Sequence, residues 1–269
     1  MTAGMTAQRV FITGASSGIG AALAREYAAR GAVLGLLGRR RDALDALASS
    51  LPGEHHVYEA DVRDHARLAS VAADFTARAG GIDVVIASSG VSRATLTDRP
   101  EDLALFATVM DTNVLGVVAT FSAFAAPMRA DRAARPGPRR LVAIGSVAGV
   151  RGMRGAGAYC ASKAAVHSYC ESLRLELASS GIRVVTIAPG FIDTPMTRQN
   201  GFAMPFLMPV DRFARAAVRA IEAGASFRVI PWQMGLVAKL LRVLPNALFD
   251  LLFARAPQKP RAAAPETVG

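Results

Sequence analysis

Two kinds of hydrophobic run alternate along this chain. Short apolar runs bounded by Gly, Pro, Asn or Asp read as buried strands. They are RVFITG (9–14), AVLGLLG (32–38), HVYEADV (56–62), IDVVIASSG (82–90), RLVAIGS (140–146), RVVTIAPG (183–190) and FRVIP (227–231). Between them lie longer stretches with an apolar residue every three or four positions, the period of a helix with one buried face. These follow Gly20, start at Asp42, cover 64–79 and 101–130, run on from Tyr159, and cover 210–224. Strands that are apolar almost throughout are buried on both faces, as in a parallel sheet covered by crossover helices. The alternation therefore predicts a single α/β domain, seven parallel strands doubly wound with helices, over residues 1–232.

The segment after the last strand breaks this pattern. QMGLVAKLLRVLPNALFDLLFAR (233–255) is strongly apolar, carries Lys239, Arg242 and Arg255, and is split by Pro245 into two short helical pieces. Neither piece is long enough to span a bilayer. Three placements fit: packing across a subunit or over a pocket mouth, lying in a membrane surface with basic residues at the headgroups, or serving as an ordinary core helix. Residues 256–269, APQKPRAAAPETVG, have the composition of a disordered tail.

Composition adds little to the fold but narrows the setting. The chain has 269 residues, 52% hydrophobic and 19% charged, enough for one large domain with a sizeable core or for two small ones. Its two cysteines, Cys160 and Cys170, fall on one predicted helix about 15 Å apart, too far for a disulfide. They read as packed thiols of a reduced, cytoplasmic protein, the alternative being a reactive thiol at Cys160 beside Tyr159. The N-terminus, MTAGMTAQRVFITG, has no long apolar region, and no span of about 20 apolar residues is expected elsewhere. The net charge of +10 comes almost entirely from Arg and fits either an anionic partner or arginines spread over helix faces. ADRAARPGPRR (130–140) reads as a basic surface loop. It lacks the interleaved aromatics that would stack on bases, so no nucleic-acid partner is expected. His55, His56 and His65 have no metal-ligand company, and no metal site is expected.

Chemistry concentrates in two stretches. The first strand runs into TGASSGIG (13–20), where Gly14, Gly18 and Gly20 allow a tight strand-to-helix turn and a close backbone approach to a pyrophosphate; the helix start then favours the anion. The second stretch, Val142 to Gly181, ends a buried strand in Ser146 and opens a helix carrying Tyr159 and Lys163 one turn apart. That spacing puts phenol and ammonium on one helix face, near the carboxyl end of a strand, where open parallel sheets bind ligands. A free phenol has a pKa of about 10. A nearby ammonium is expected to lower it toward working pH, so that Tyr159 exchanges a proton with a carbonyl or an alcohol. Ser146 would hold the same oxygen by a hydrogen bond.

Taken together, S-x12-Y-x3-K and G-x3-G-x-G resemble the short-chain dehydrogenase/reductase family over about residues 8–231. The resemblance implies a Rossmann-type domain, a nicotinamide cofactor and hydride transfer to or from a carbonyl or secondary alcohol. It implies Tyr159 as acid/base, Ser146 holding the substrate oxygen, Lys163 tuning Tyr159 and binding ribose, and Asn113 positioning a water in a proton relay. It places Gly14, Ser16, Ser17, Gly18, Ile19 and Gly20 on the cofactor, Asp61 and Val62 at the adenine, and Gly90 where the backbone clears it. Pro189, Gly190, Ile192 and Thr194 fall beside the nicotinamide. Asn113, Tyr159 and Lys163 also count among the cofactor contacts. It also implies a homodimer or homotetramer built on the helices that bear Asn113 and Tyr159.

Two departures bear on function. Where an acidic residue would accept from the ribose of NAD, the second strand ends in Arg39, Arg40 and Arg41, so a 2′-phosphate and NADP(H) are expected, with Arg39 the first contact and Arg40 the second. The family's usual Asn-Asn-Ala-Gly is replaced by Ala87-Ser88-Ser89-Gly90, removing an amide that ties strand ends together. The Met-, Phe- and Pro-rich stretch 195–209 suits a mobile lid over an apolar substrate, or side chains simply packed on the domain. The alternative to an enzyme is a cofactor-binding regulatory or scaffold protein on the same fold, peripheral to the inner face of a membrane if the tail docks there.

Overall fold

The computed structural model describes residues 7–135 and 137–255. In chain order it holds β1 (Arg9–Thr13), α1 (Gly18–Ala28), β2 (Val33–Gly38), α2 (Arg41–Ser49), β3 (His55–Glu59), α3 (His65–Arg78) and β4 (Val84–Ala87). Next come α4 (Asp102–Met110), α5 (Gly116–Ala134), β5 (Arg139–Ile144), α6 (Gly157–Glu176), β6 (Ile182–Pro189), and a short pair, β7 (Ile192–Asp193) and β8 (Met208–Pro209). α7 (Val210–Glu222), β9 (Phe227–Ile230), α8 (Trp232–Val243) and α9 (Asn246–Phe253) complete the described chain. The segment 256–269 lies outside the described residues.

Seven strands form one parallel sheet in the order β3-β2-β1-β4-β5-β6-β9. Every residue of β1, β4 and β5 is buried, which is why these strands read as apolar runs after the arginines that open β1 and β5. One face carries Leu23 and Tyr27 of α1, Leu44 of α2 and Phe213 of α7 against Ile12, Leu36 and Ile86. The other packs Phe75 of α3, Phe121 and Phe124 of α5 and Val166 of α6 against Phe11, Val85 and Leu141. The chain runs outward from β1 in both directions, so the carboxyl ends of β1 and β4 flank the switch point at which such sheets bind ligands.

Several elements differ from the expected ones. The third and fourth strands stop at Glu59 and Ala87, so Asp61 and Ser88–Gly90 lie in loops at the sheet's edge. The helix expected over 101–130 runs on to Ala134 and includes a wide π turn at Asp111–Leu115, with Asn113 inside it. The joined run Asp102–Ala134 is long and apolar enough to pass for a membrane span by length and composition, contrary to expectation. It is nonetheless part of this fold, with Val109, Phe121, Phe124 and Met128 buried.

The expected basic loop at 130–140 does not exist as such. Asp131 belongs to α5, and Arg139 and Arg140 open β5, 2% and 4% exposed. Arg9 pairs with Asp83 at 2.9 Å and with Asp131 at 2.6 Å, and Arg139 reaches the same two carboxylates at 3.1 and 2.7 Å. Three stretches distant in sequence, at Arg9, Asp83 and Asp131–Arg139, thus share one buried ion cluster at the amino ends of β1, β4 and β5, away from the ligand-binding edge. Arginine is the cation best suited to it, because its planar fork satisfies two carboxylates at once.

Candidate active site

A cleft of 430 Å³ opens at the carboxyl ends of the strands. Every residue named from the sequence as a cofactor contact lines it except Asn113, and so do Ser146, Tyr159 and Lys163. Its glycines are forced by close approach. Gly14 has φ +69, and a Cβ there would fall 2.8 Å from the backbone nitrogen of Ser89. A Cβ on Gly20 would overlap the carbonyl of Gly14. Glycine at 14 therefore lets the loop after β4 pass close beside the turn, and glycine at 20 lets α1 close on it.

The rim has the character of an anion cradle. Ser17 is the N-cap of α1, yet its side chain caps no backbone N–H, which leaves first-turn donors open to the cleft. Arg40 donates to the carbonyl of Ser16 at 3.0 Å and to its hydroxyl at 3.3 Å, closing over the glycine turn. Arg39 is exposed on the same rim and makes no hydrogen bond among the described residues. Its positive charge helps to lower the pKa of Asp61, though hydrogen bonding by Arg63 is the larger cause. The Asp61 carboxylate is held by Arg63, 2.7 Å from its guanidinium and 3.0 Å from its backbone N–H. Donors open at a helix start, a glycine-only turn and an unpaired arginine together fit a dinucleotide carrying phosphates.

Thr13 compensates for the missing asparagine. Its hydroxyl accepts from the backbone N–H of Ser88 at 3.1 Å and of Ser89 at 3.2 Å, tying the ends of β1 and β4 together.

At the other end of the cleft Ser146 caps a short turn at Val147–Gly149 and accepts from the N–H of Ala148 at 3.1 Å. Lys163 is buried, and its Nζ donates to the carbonyl of Ile144 at 2.8 Å, sitting 5.8 Å from the centre of the Tyr159 ring. Burial pushes Lys163 down from 10.5 to about 8. Burial also raises the Tyr159 phenol, while a hydrogen bond with Ser146 opposes the rise. This corrects the expectation of a lowered phenol. Desolvation penalises phenolate and ammonium alike, and the ammonium is committed to a carbonyl oxygen. Cys160 and Cys170 are free, buried and raised by burial, as packed thiols should be.

Asn113 lies behind the cleft wall, fully buried. It pairs with both backbone groups of Val91, at 2.8 and 2.9 Å, and donates to Ser162 at 3.0 Å. It joins the π turn, the loop after β4 and α6, just under Gly90 and Lys163. Wide turns of this kind recur at functional sites.

Two neighbours of the site were not singled out from the sequence. His167 is the next residue on the face that carries Tyr159 and Lys163. Its Nε2 accepts from the backbone N–H of Ser146 at 3.4 Å, and its ring stands edge-on to Phe227 at 5.1 Å. Burial and the nearby Lys163 lower its pKa to about 4, keeping the ring neutral. The helical spacing from Tyr159 was its available signal. Arg151, in the loop after Ser146, reaches the C-terminal helices, and no local pattern announces that.

Comparisons with known proteins agree with this geometry. The profile described as short chain dehydrogenase matches residues 8–203. An uncharacterised oxidoreductase of Myxococcus xanthus is 38% identical over 255 residues, covering 91% of this chain and 96% of that one. The 3-oxoacyl-(acyl-carrier-protein) reductase of Escherichia coli is 36% identical over 187 residues, 70% of this chain and 74% of that one. A solved short-chain dehydrogenase from Streptomyces avermitilis superposes with a TM-score of 0.76 at 25% identity, covering 87% of this chain and 96% of that one. The chain belongs to the short-chain dehydrogenase/reductase family, oxidoreductases that act on carbonyl and alcohol groups with a nicotinamide cofactor.

Proposed function

We propose that this chain is an NADP(H)-dependent reductase of an apolar ketone or aldehyde, reversible as an alcohol dehydrogenase. The observation that carries the reading is one cleft with Ser146, Tyr159 and Lys163 at one end and, at the other, the guanidinium of Arg39, unpaired among the described residues. The nicotinamide, when bound, supplies or accepts the hydride. Arg39, with Arg40 beside it, would bind a 2′-phosphate by charge-assisted hydrogen bonds. Gly14, Ser16, Ser17, Gly18, Ile19 and Gly20 would cradle the pyrophosphate. Asp61 and Val62 would border the adenine; Gly90, Pro189, Gly190, Ile192 and Thr194 would line the nicotinamide's place.

In this reading Ser146 donates to the substrate oxygen and holds it against Tyr159. Tyr159 delivers its phenolic proton to that oxygen as the carbonyl carbon is reduced, or takes the proton back in oxidation. Lys163, its Nζ held by the Ile144 carbonyl, would bind the cofactor's ribose, and Asn113 keeps the loop after β4 and the π turn in place beside it. The raised phenol remains protonated at neutral pH and so suits proton donation, the reductive direction. An apolar substrate is supported by the surroundings of the cleft, where Met196 lines the wall and Met234 packs on Gly190. The Escherichia coli relative, named as a 3-oxoacyl reductase, offers one chemical precedent. A homodimer or homotetramer is supported by Leu103, Phe106 and Leu115 on the Asn113 helix and by Leu175 on α6, all exposed.

The test is NADPH oxidation against short, aromatic, steroidal and long-chain carbonyls, with Tyr159→Phe as the blank. The expected result is turnover on bulky apolar carbonyls that Tyr159→Phe loses almost completely while still binding NADPH. Undiminished turnover in that variant would overturn the assignment.

A further inference from the structure

A helix on a globular surface normally buries one apolar stripe; α8 shows two. Its inner face sets Met234 and Ala238, both buried, toward the domain, with Met234 against Gly190. Its outer face carries Trp232, Leu236, Leu240 and Val243 at helical spacing, and the least exposed of them is still 58% open. α9 adds Leu251 and Leu252, 78% and 60% exposed.

These helices are not loosely attached. Arg151 donates to the carbonyls of Leu241 and Leu244 at 2.7 and 2.6 Å and to Oδ1 of Asn246 at 2.8 Å. Its guanidinium also lies 4.0 Å from the centre of the Phe249 ring. One side chain thus caps the end of α8 and grips the start of α9. Fastened from behind, the pair keeps its apolar outer face toward solvent.

Trp232 continues this face into a groove of 570 Å³, which it shares with Phe206, Leu207, Arg212, Arg219 and Arg228. No acidic residue lines the groove, and none of the three guanidinium groups makes an ion pair or hydrogen bond among the described residues. Phe206 is half exposed at φ +58, the one non-glycine residue in the left-handed region among those described. For an aromatic residue that conformation is strained.

We propose that the outer face of α8–α9 and the arginine groove beside it dock on the surface of an anionic lipid bilayer. Trp232 and the leucines would enter the boundary between headgroups and acyl chains. Arg212, Arg219 and Arg228 would meet lipid phosphates. Charge selects this occupant over a second copy of the chain. In 232–255, Lys239, Arg242 and Arg255 face a single acidic residue, Asp250, and the whole chain carries +10. Face-to-face pairing would oppose like charges, whereas anionic lipid neutralises them. Docking here holds the mouth of the cleft near the bilayer, because α8 touches the Gly190 loop and Arg151 follows Ser146 closely. That consequence rests on the proposed reductase reading; the docking itself does not.

Trp232 is the chain's single tryptophan, so emission from the intact protein reports this surface directly. The probe is vesicles of phosphatidylcholine with about one phosphatidylglycerol in three, compared with phosphatidylcholine alone. Expected are co-sedimentation and a blue shift of Trp232 with the anionic vesicles, weakened by salt. Leu240→Asp combined with Val243→Asp should abolish both while leaving NADPH binding intact. Each of Arg212→Gln, Arg219→Gln and Arg228→Gln should weaken partitioning about fivefold; these surface changes keep the test open if the aspartates disturb folding. No shift with anionic vesicles, or equal binding to neutral ones, would overturn the proposal. So would a concentration-dependent blue shift without lipid, matched by a dimer that Leu240→Asp dissociates, since the face would then belong to a second copy.

Discussion

Replacing Lys163 with methionine should make this protein more stable at neutral pH and less stable in alkali. Burial lowers the lysine from 10.5 to about 8. At about 1.4 kcal/mol per tenfold change in proton affinity, holding it charged in the fold costs about 3 kcal/mol. Methionine has similar volume and no charge, so it removes that cost. It also removes the bond from Nζ to the Ile144 carbonyl, 2.8 Å long, worth about 1 kcal/mol. The variant should therefore gain about 2 kcal/mol at pH 7, or roughly 4–8 °C in Tm for a chain of this size.

The sign follows from proton counts. Between pH 8 and 10.5 the unfolded chain still binds the Lys163 proton and the folded chain has released it. Wild-type stability therefore gains from this residue as pH rises through that window. Above it the lysine costs nothing, and the variant should be about 1 kcal/mol the weaker protein, having lost a hydrogen bond for no return. Urea unfolding of both proteins in parallel from pH 7 to 10.5 measures the gap. Titrating groups that do not feel Lys163, the raised Tyr27 among them, are common to both and drop out of the difference. A gap that does not change with pH would refute the reasoning, because it would mean that Lys163 is not held charged against burial.

Arg39→Ala should lower kcat/KM with NADPH about 10- to 100-fold, the loss of one charge-assisted contact or two, and leave NADH kinetics alone. An equal fall with both cofactors would remove Arg39 from the 2′-phosphate. Asp131→Ala strips a shared carboxylate from the buried Arg9 and Arg139 and should cost about 3–5 kcal/mol in thermal or urea unfolding; a loss under about 1 kcal/mol would mean that Asp83 suffices alone. His167→Leu should cut kcat about tenfold without changing NADPH affinity, through misplacement of Ser146 by a fraction of an ångström. Partial recovery in His167→Gln, which restores an acceptor, marks a positioning role. Equal losses in both variants would mark it as packing only.

What could be read from the sequence depended on how local each signal was. The strands of a parallel sheet are apolar almost throughout, so their number and order of appearance were visible in Phe11, Val85, Leu141 and their neighbours. Gly14, Gly18 and Gly20 lie within one turn, and Tyr159 and Lys163 within one helical turn, so backbone geometry alone brings them together. Arg139 and Arg140 carried the opposite signal. Beside Pro138 and Gly137 they resemble an exposed loop, and only the arrival of Asp83 and Glu222 from elsewhere, with Asp131 set facing them from the end of α5, makes their burial tolerable.

The Tyr159 phenol shows the same limit at the level of chemistry. Sequence places an ammonium one turn away, and that alone argues for a lowered pKa. Whether it does so depends on where the ammonium points and how much water remains. In the fold Lys163 spends a short hydrogen bond on Ile144, and the wall of α6 and β5 desolvates both groups. The two shifts reverse the usual order of the two groups and widen the interval between them: the phenol holds its proton more tightly and the ammonium less. A donor that stays protonated beside a cation that is easily neutralised is suited to giving a proton to a carbonyl. This arrangement follows from burial and the Ile144 carbonyl, neither of which is encoded in the four-residue spacing.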